Sequence, residues 1–122
     1  MRVGYVVLYV QDAEKCRQFW VDQLGLVEKR RTEAGGFTVV QVGFAAQPFA
    51  FELVPLALMK DNPDGLDLAT PSICFHAADL DGTHAELASR GVPVTPIGAH
   101  AGQRSFAFSD PEGRWFAFTA EP

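Results

Sequence analysis

Few side chains in this sequence combine a reactive type with a telling position. Histidine stands at His76, His84 and His100, cysteine at Cys16 and Cys74, and Glu52 lies inside the apolar, strand-like run Phe51-Glu52-Leu53-Val54. A carboxylate in such a run is costly unless it is protonated, hydrogen-bonded or matched by a cation. Glu52 is therefore a candidate general base, metal ligand or receptor for a cationic group. His76 ends a similar run, Ser72-Ile73-Cys74-Phe75-His76, and is the second acid-base candidate. His84 falls in the middle of a helix-like segment and His100 in a Gly-rich loop, and both read as surface residues. The cysteines show no CxxC or zinc-like spacing. Each reads as a reduced packing residue, since free cysteine behaves as a small hydrophobe. No nucleophile, base and orienter fall at a spacing that would mark a hydrolase.

The elements that hold these residues follow from pattern. Val3 to Val10 is rich in β-branched and aromatic residues and predicts a strand. Asp12 caps a helix through Leu24, in which Cys16, Phe19, Trp20 and Leu24 form an apolar stripe and Gly25 is the stop. Strands follow at Leu26 to Thr32 and Phe37 to Phe44, joined through Ala34-Gly35-Gly36, with a third at Phe49 to Val54. The proline-rich stretch from Pro55 to Pro71, with Asp61-Asn62-Pro63-Asp64-Gly65, reads as a linker or loop. The order then repeats: a strand from Ser72 to Ala77, a helix capped by Asp79 running to Arg90 and stopped by Gly91, and strands near Val92 to Ile97, Arg104 to Phe108 and Trp115 to Thr119.

Sliding the chain by about 67 residues lays Leu8-Tyr9-Val10-Gln11-Asp12 over Phe75-His76-Ala77-Ala78-Asp79. A slightly smaller slide lays Gly25 over Gly91 and Phe51-Glu52-Leu53 over Phe116-Ala117-Phe118. The expected architecture is α+β, two βαβββ modules in one chain forming a cupped mixed sheet: module one about 1–56, linker about 57–70, module two about 71–122. One helix covers only one face of each four-stranded sheet, so two such modules can cover each other's remaining faces by forming a cup, and that cup is where a ligand is expected.

The 122 residues, 48% hydrophobic and 20% charged, have an ordinary globular composition. A formal charge of −5 without clustered Lys and Arg argues against a nucleic-acid partner, and Arg30-Arg31 reads as a solvated turn. No apolar run approaches the roughly 20 residues that cross a bilayer, and Met1-Arg2-Val3 leads straight into a strand, so no membrane partner and a cytoplasmic location are expected.

Tyr5-Val6-Val7-Leu8-Tyr9-Val10-Gln11-Asp12, leading to Phe19-Trp20 and Leu24-Gly25-Leu26, resembles the opening of the vicinal oxygen chelate superfamily, which includes glyoxalases, bleomycin-resistance proteins and dihydroxybiphenyl-type extradiol dioxygenases. Phe106-Ala107-Phe108-Ser109-Asp110-Pro111-Glu112-Gly113-Arg114 resembles its closing hairpin. The likeness spans essentially the whole chain. It implies a homodimer, and it implies metal ligands on the first and last strand of each module. Those positions hold Tyr5, Glu52, Ser72 and Ala117 here, so one ligand type of four survives and no cofactor is expected. A displaced divalent site using Glu52 and His76 is the alternative.

Strand alternation in the family-like register groups Tyr5, Val7, Tyr9, Glu52, Ser72, His76, Trp115 and Ala117 as the ligand-binding set, with Cys74, Val54 and Thr119 beside them. Such a surface, aromatic and apolar with a few polar groups, suits a small aromatic or cationic molecule. Glu52 is expected to hydrogen-bond Tyr5 or Ser72. The resemblance supports a drug-binding, resistance-like role first. A glyoxalase-like lyase or isomerase, a dioxygenase, or a metal-independent enzyme using Glu52 or His76 stands as the alternative.

Overall fold

The computed structural model describes residues 3–62, 65–100 and 102–121. Pro63 and Asp64 of the expected linker lie outside the described residues, as does the side chain of His100. The chain divides into two compact units, Met1–Thr70 and Pro71–Pro122.

The first unit runs β1 (Tyr5–Val10), α1 (Ala13–Gln18), β2 (Val27–Ala34), β3 (Phe37–Gly43) and β4 (Ala50–Pro55). Its sheet has the order β1-β4-β3-β2, with β1 parallel to β4 and the other pairs antiparallel. Asp12 caps α1 by accepting a hydrogen bond from the Lys15 amide. The helix does not run regularly to Leu24. From Phe19 to Gln23 it widens into a π turn, which turns Phe19 and Trp20 inward together. Trp20 meets Phe19 edge-on at 5.3 Å between centroids and Phe51 at 5.1 Å. With Leu8, Val10, Cys16, Val40, Val42 and Leu53 these rings form the buried core between helix and sheet.

The second unit repeats the plan: β5 (Cys74–Ala77), α2 (Leu80–Ser89), β6 (Gly98–His100), β7 (Gln103–Ser109) and β8 (Trp115–Ala120), in the sheet order β5-β8-β7-β6. Asp79 caps α2 through the Gly82 amide, and Gly91 follows the helix at φ +80°. Phe75, Phe106, Phe108, Phe116 and Phe118 pack ring on ring beneath Leu80 and Leu87. Each such buried side chain contributes about 1.5–3 kcal/mol of transfer free energy. Among the described residues no helix is long and apolar enough to cross a membrane.

Several local expectations need correction. The strand expected at Val92 to Ile97 forms instead at Gly98–His100, and Val94 contributes only an isolated bridge to Phe108. Pro93 and Pro96 have no N–H to donate to a ladder, so this segment ties on piecemeal, through the Thr95 amide to the Ala107 carbonyl and the Thr95 hydroxyl from the Ala107 amide. His100 therefore ends a strand rather than lying in a loop. Arg30 and Arg31 lie within β2, not in a turn. His84 is not a surface histidine: it is half-buried, its Nε2 donates to the Thr95 carbonyl at 2.8 Å, and its ring stands edge-on to Phe106. Ser72 falls outside β5, because the parallel register sets Cys74 opposite Ala117, and two residues earlier β8 is only beginning, at Trp115.

Candidate functional site

In each unit one face of the sheet is packed and the other is open. On the first, Leu8, Val10, Phe51 and Leu53 are buried under α1, while Tyr5, Val7 and Tyr9 alternate with them to the opposite side and are exposed or half-buried. The register sets Tyr5 opposite Ala50, Val7 opposite Glu52 and Tyr9 opposite Val54, so the three β1 residues, Glu52 and Val54 share the open face, on which Ala50 and Val54 are themselves buried and the β1 residues and Glu52 are not. Tyr5 is 49% exposed. Glu52 is half-buried, with Val7 on one side and Gln41 on the other.

Gln41 is the carboxylate's partner: its Nε2 donates to Glu52 Oε1 at 3.2 Å. The expected partners were Tyr5 or Ser72. Tyr5 is displaced diagonally toward Ala50, whereas Gln41 stands directly across the antiparallel β3–β4 pair, the closest side-chain approach a sheet provides. Gln41 is also the residue that sequence reasoning missed. Its signal was a lone polar side chain in Val39-Val40-Gln41-Val42, but linking it to Glu52 needs the strand register.

On the second unit the open face carries Cys74 and His76 from β5, Trp115, Ala117 and Thr119 from β8, and Ser105 and Ala107 from β7. His76 Nδ1 lies 3.1 Å from Thr119 Oγ1, and the Cys74 thiol lies 3.7 Å from the same oxygen. Trp115 is 54% exposed. Ala117 brings no donor atom and stands between Cys74 and Ala107, which leaves the middle of this face shallow. The structure thus groups Tyr5, Val7, Tyr9 and Glu52 on one unit, and His76, Trp115 and Ala117 on the other, with Ser72 just before β5.

The largest ionic grouping among the described residues, four charged side chains, lies on the packed side of the first sheet. Arg17 of α1 pairs with Glu14 at 2.7 Å, and Arg31 of β2 pairs with Glu28 at 2.6 Å. The hydrogen bond from Arg17 holds the Glu14 carboxyl below the ordinary carboxylate range, and that from Arg31 does the same for Glu28. The four charges alternate in sign and fasten the helix to the edge strand, away from the open face.

Comparison with known proteins gives a consistent picture. Residues 2–118 match the sequence profile of the family described as Glyoxalase/Bleomycin resistance protein/Dioxygenase superfamily. The fold is similar to that of TnmS3, an antibiotic binding protein from Streptomyces sp. CB03234, with a TM-score of 0.81, 21% identity, and coverage of 100% of this chain and 97% of the other. A member of the superfamily from Sphaerobacter thermophilus DSM 20745 matches at 0.80 with 25% identity over 99% and 98% of the two chains. The lactoylglutathione lyase from Agrobacterium tumefaciens matches at 0.74 with 19% identity over 98% and 92%.

Proposed function

The chain belongs to the glyoxalase/bleomycin resistance protein/dioxygenase superfamily, and from that premise we propose that it binds a small planar or aromatic molecule bearing a cationic group, and that it has lost the family's divalent metal site. The observation that carries this reading is the donor chemistry at the four expected ligand positions. Tyr5 offers a neutral phenol, Ser72 a hydroxyl ahead of its strand, and Ala117 nothing. Glu52 offers a carboxylate already engaged by Gln41. These residues do not fit a divalent ion, which draws on about three imidazole, carboxylate or thiolate ligands.

What they do suit is recognition without reaction. On the first unit the exposed ring of Tyr5 offers stacking surface, and the half-buried Glu52 carboxylate on the same sheet face can receive an ammonium or amidinium group; on the second unit Trp115 offers an exposed ring of its own. The fold shared with an antibiotic binding protein supports this role as an analogy of architecture. A homodimer is proposed alongside it, as the family resemblance implies, and light scattering of the purified chain tests that.

Metal stoichiometry is the deciding experiment. After incubation with zinc, nickel, manganese or iron(II) and desalting, the protein is expected to retain no stoichiometric metal. About one tightly held ion per chain, lost in Glu52→Ala, would overturn this reading and restore the metal-dependent lyase or dioxygenase alternative.

A further inference from the structure

Arg17, Arg31, Arg90, Arg104 and Arg114 each sit beside a carboxylate. Arg30 alone among the described arginines has no such partner, and its side chain makes no hydrogen bond to a described residue. Its place in the sheet makes that meaningful. Arg31 reaches Glu14 of α1 and so points to the packed side, which sends Arg30 to the open face. The register agrees: Arg30 stands opposite Gln41, and Gln41 opposite Glu52.

A β-bulge creates this arrangement. Glu28 pairs with Val42 and Arg30 with Gln41, so Lys29 is the extra residue, and its ammonium donates to the Gln47 carbonyl. Without the extra residue Lys29 would stand opposite Gln41 and Arg30 would turn to the helix side. Bulges recur where a side chain must be re-aimed. The result is one row across four strands on the open face, Val7, Glu52, Gln41 and Arg30, with an anion and a cation on either side of an amide. The Gln41 Nε2 donates to Glu52, and no described residue donates to the Gln41 side-chain oxygen Oε1.

We propose that Arg30 is the anion-recognising residue of this face, so that the ligand is an elongated zwitterion whose cationic end meets Glu52 and whose carboxylate end meets Arg30, with Gln41 between them. The inference rests on the ligand-binding reading above and narrows its substrate class. Two strand spacings separate Glu52 from Arg30, roughly 10 Å, which sets the length of the ligand. A planar guanidinium fork suits a carboxylate better than an ammonium would.

The test uses three biphenyl probes with the purified chain in calorimetric titration: one with an aminomethyl group at one para end and a carboxylate at the other, its methyl ester, and the carboxylate with a plain methyl in place of the aminomethyl. The zwitterion is expected to bind about tenfold or more tighter than the ester, the size of one charge-assisted hydrogen bond. Arg30→Gln should erase that preference without weakening the ester or lowering the thermal midpoint, and Arg30→Lys should retain only part of it. Equal binding of zwitterion and ester, or a preference that survives Arg30→Gln, overturns the role of Arg30 alone. Ester binding that Glu52→Gln does not weaken overturns instead the cation role of Glu52. No binding of any probe at about 1 mM, a level at which even a weak specific site responds, overturns both.

Discussion

Asp110 is the most buried carboxylate among the described residues, with 1% of its side chain exposed, and it organises the turn that delivers β8. Its Oδ1 accepts from the backbone amides of Glu112 at 3.0 Å and Arg114 at 2.8 Å, and its Oδ2 faces Arg114 Nη1 at 3.3 Å. Asp110→Ala removes both acceptor oxygens and with them all three hydrogen bonds, and strands two amides in a tight turn. Each hydrogen bond to a charged group contributes about 1.5–3 kcal/mol net, but Pro111 and Gly113 are exposed, so water recovers part of the loss. Arg114 also keeps Glu112 Oε1 at 3.0 Å. The expected destabilisation is about 2–4 kcal/mol. Asp110→Asn keeps an oxygen for the two amides and gives up only the charge pairing, so about 1 kcal/mol is expected. Urea unfolding of the three proteins side by side measures both. Equal losses for Ala and Asn would refute the account, because they would mean that charge pairing with Arg114, and not the caught amides, holds the turn.

Two further outcomes follow from the exposure and charge of particular groups. Cys16 is buried and Cys74 exposed, so a thiol reagent should label one cysteine per native chain and both after denaturation; two fast-reacting thiols would contradict the packing of α1. The Glu14 and Glu28 carboxyls have folded-state pKa values lowered by Arg17 and Arg31. Their stabilisation is complete above the ordinary carboxylate range and fades as pH falls through the lowered folded-state values. NMR titration should place both midpoints below that of a free glutamate, with Arg31→Gln returning Glu28 to the ordinary range and high salt weakening the effect in the wild type.

The architecture was legible because it was written twice. Asp12 and Asp79 cap helices at equivalent places, Gly25 and Gly91 follow them at positive φ, and Phe51-x-Leu53 and Phe116-x-Phe118 supply both cores. Alternation, a local property, also predicted which strand residues share a face. What stayed hidden was set by pairing between strands distant in sequence. The bulge at Lys29 decides the direction of Arg30, the β3–β4 register gives Glu52 its amide partner, and the late start of β5 leaves Ser72 outside the sheet. His84 was misjudged for the same reason, since its acceptor Thr95 belongs to a segment that proline keeps out of the ladder.

The two units also offer an internal comparison that bears on Glu52. At the packed positions they have interchangeable chemistry, Phe51 and Leu53 in one and Phe116 and Phe118 in the other, because burial constrains both alike. At the open position between them one unit has Glu52 and the other Ala117, each in the strand parallel to the first strand of its unit. The fold therefore tolerates alanine at such a position. Glu52 is half-buried and holds one hydrogen bond to a neutral amide that water can replace, which contributes about 0.5–1 kcal/mol. Glu52→Ala is expected to shift unfolding free energy by no more than about 1 kcal/mol in either direction, while abolishing binding of cationic aromatic probes. A loss of about 3 kcal/mol in urea unfolding would instead make Glu52 a structural residue of the first sheet, and the carboxylate could no longer be assigned to a ligand.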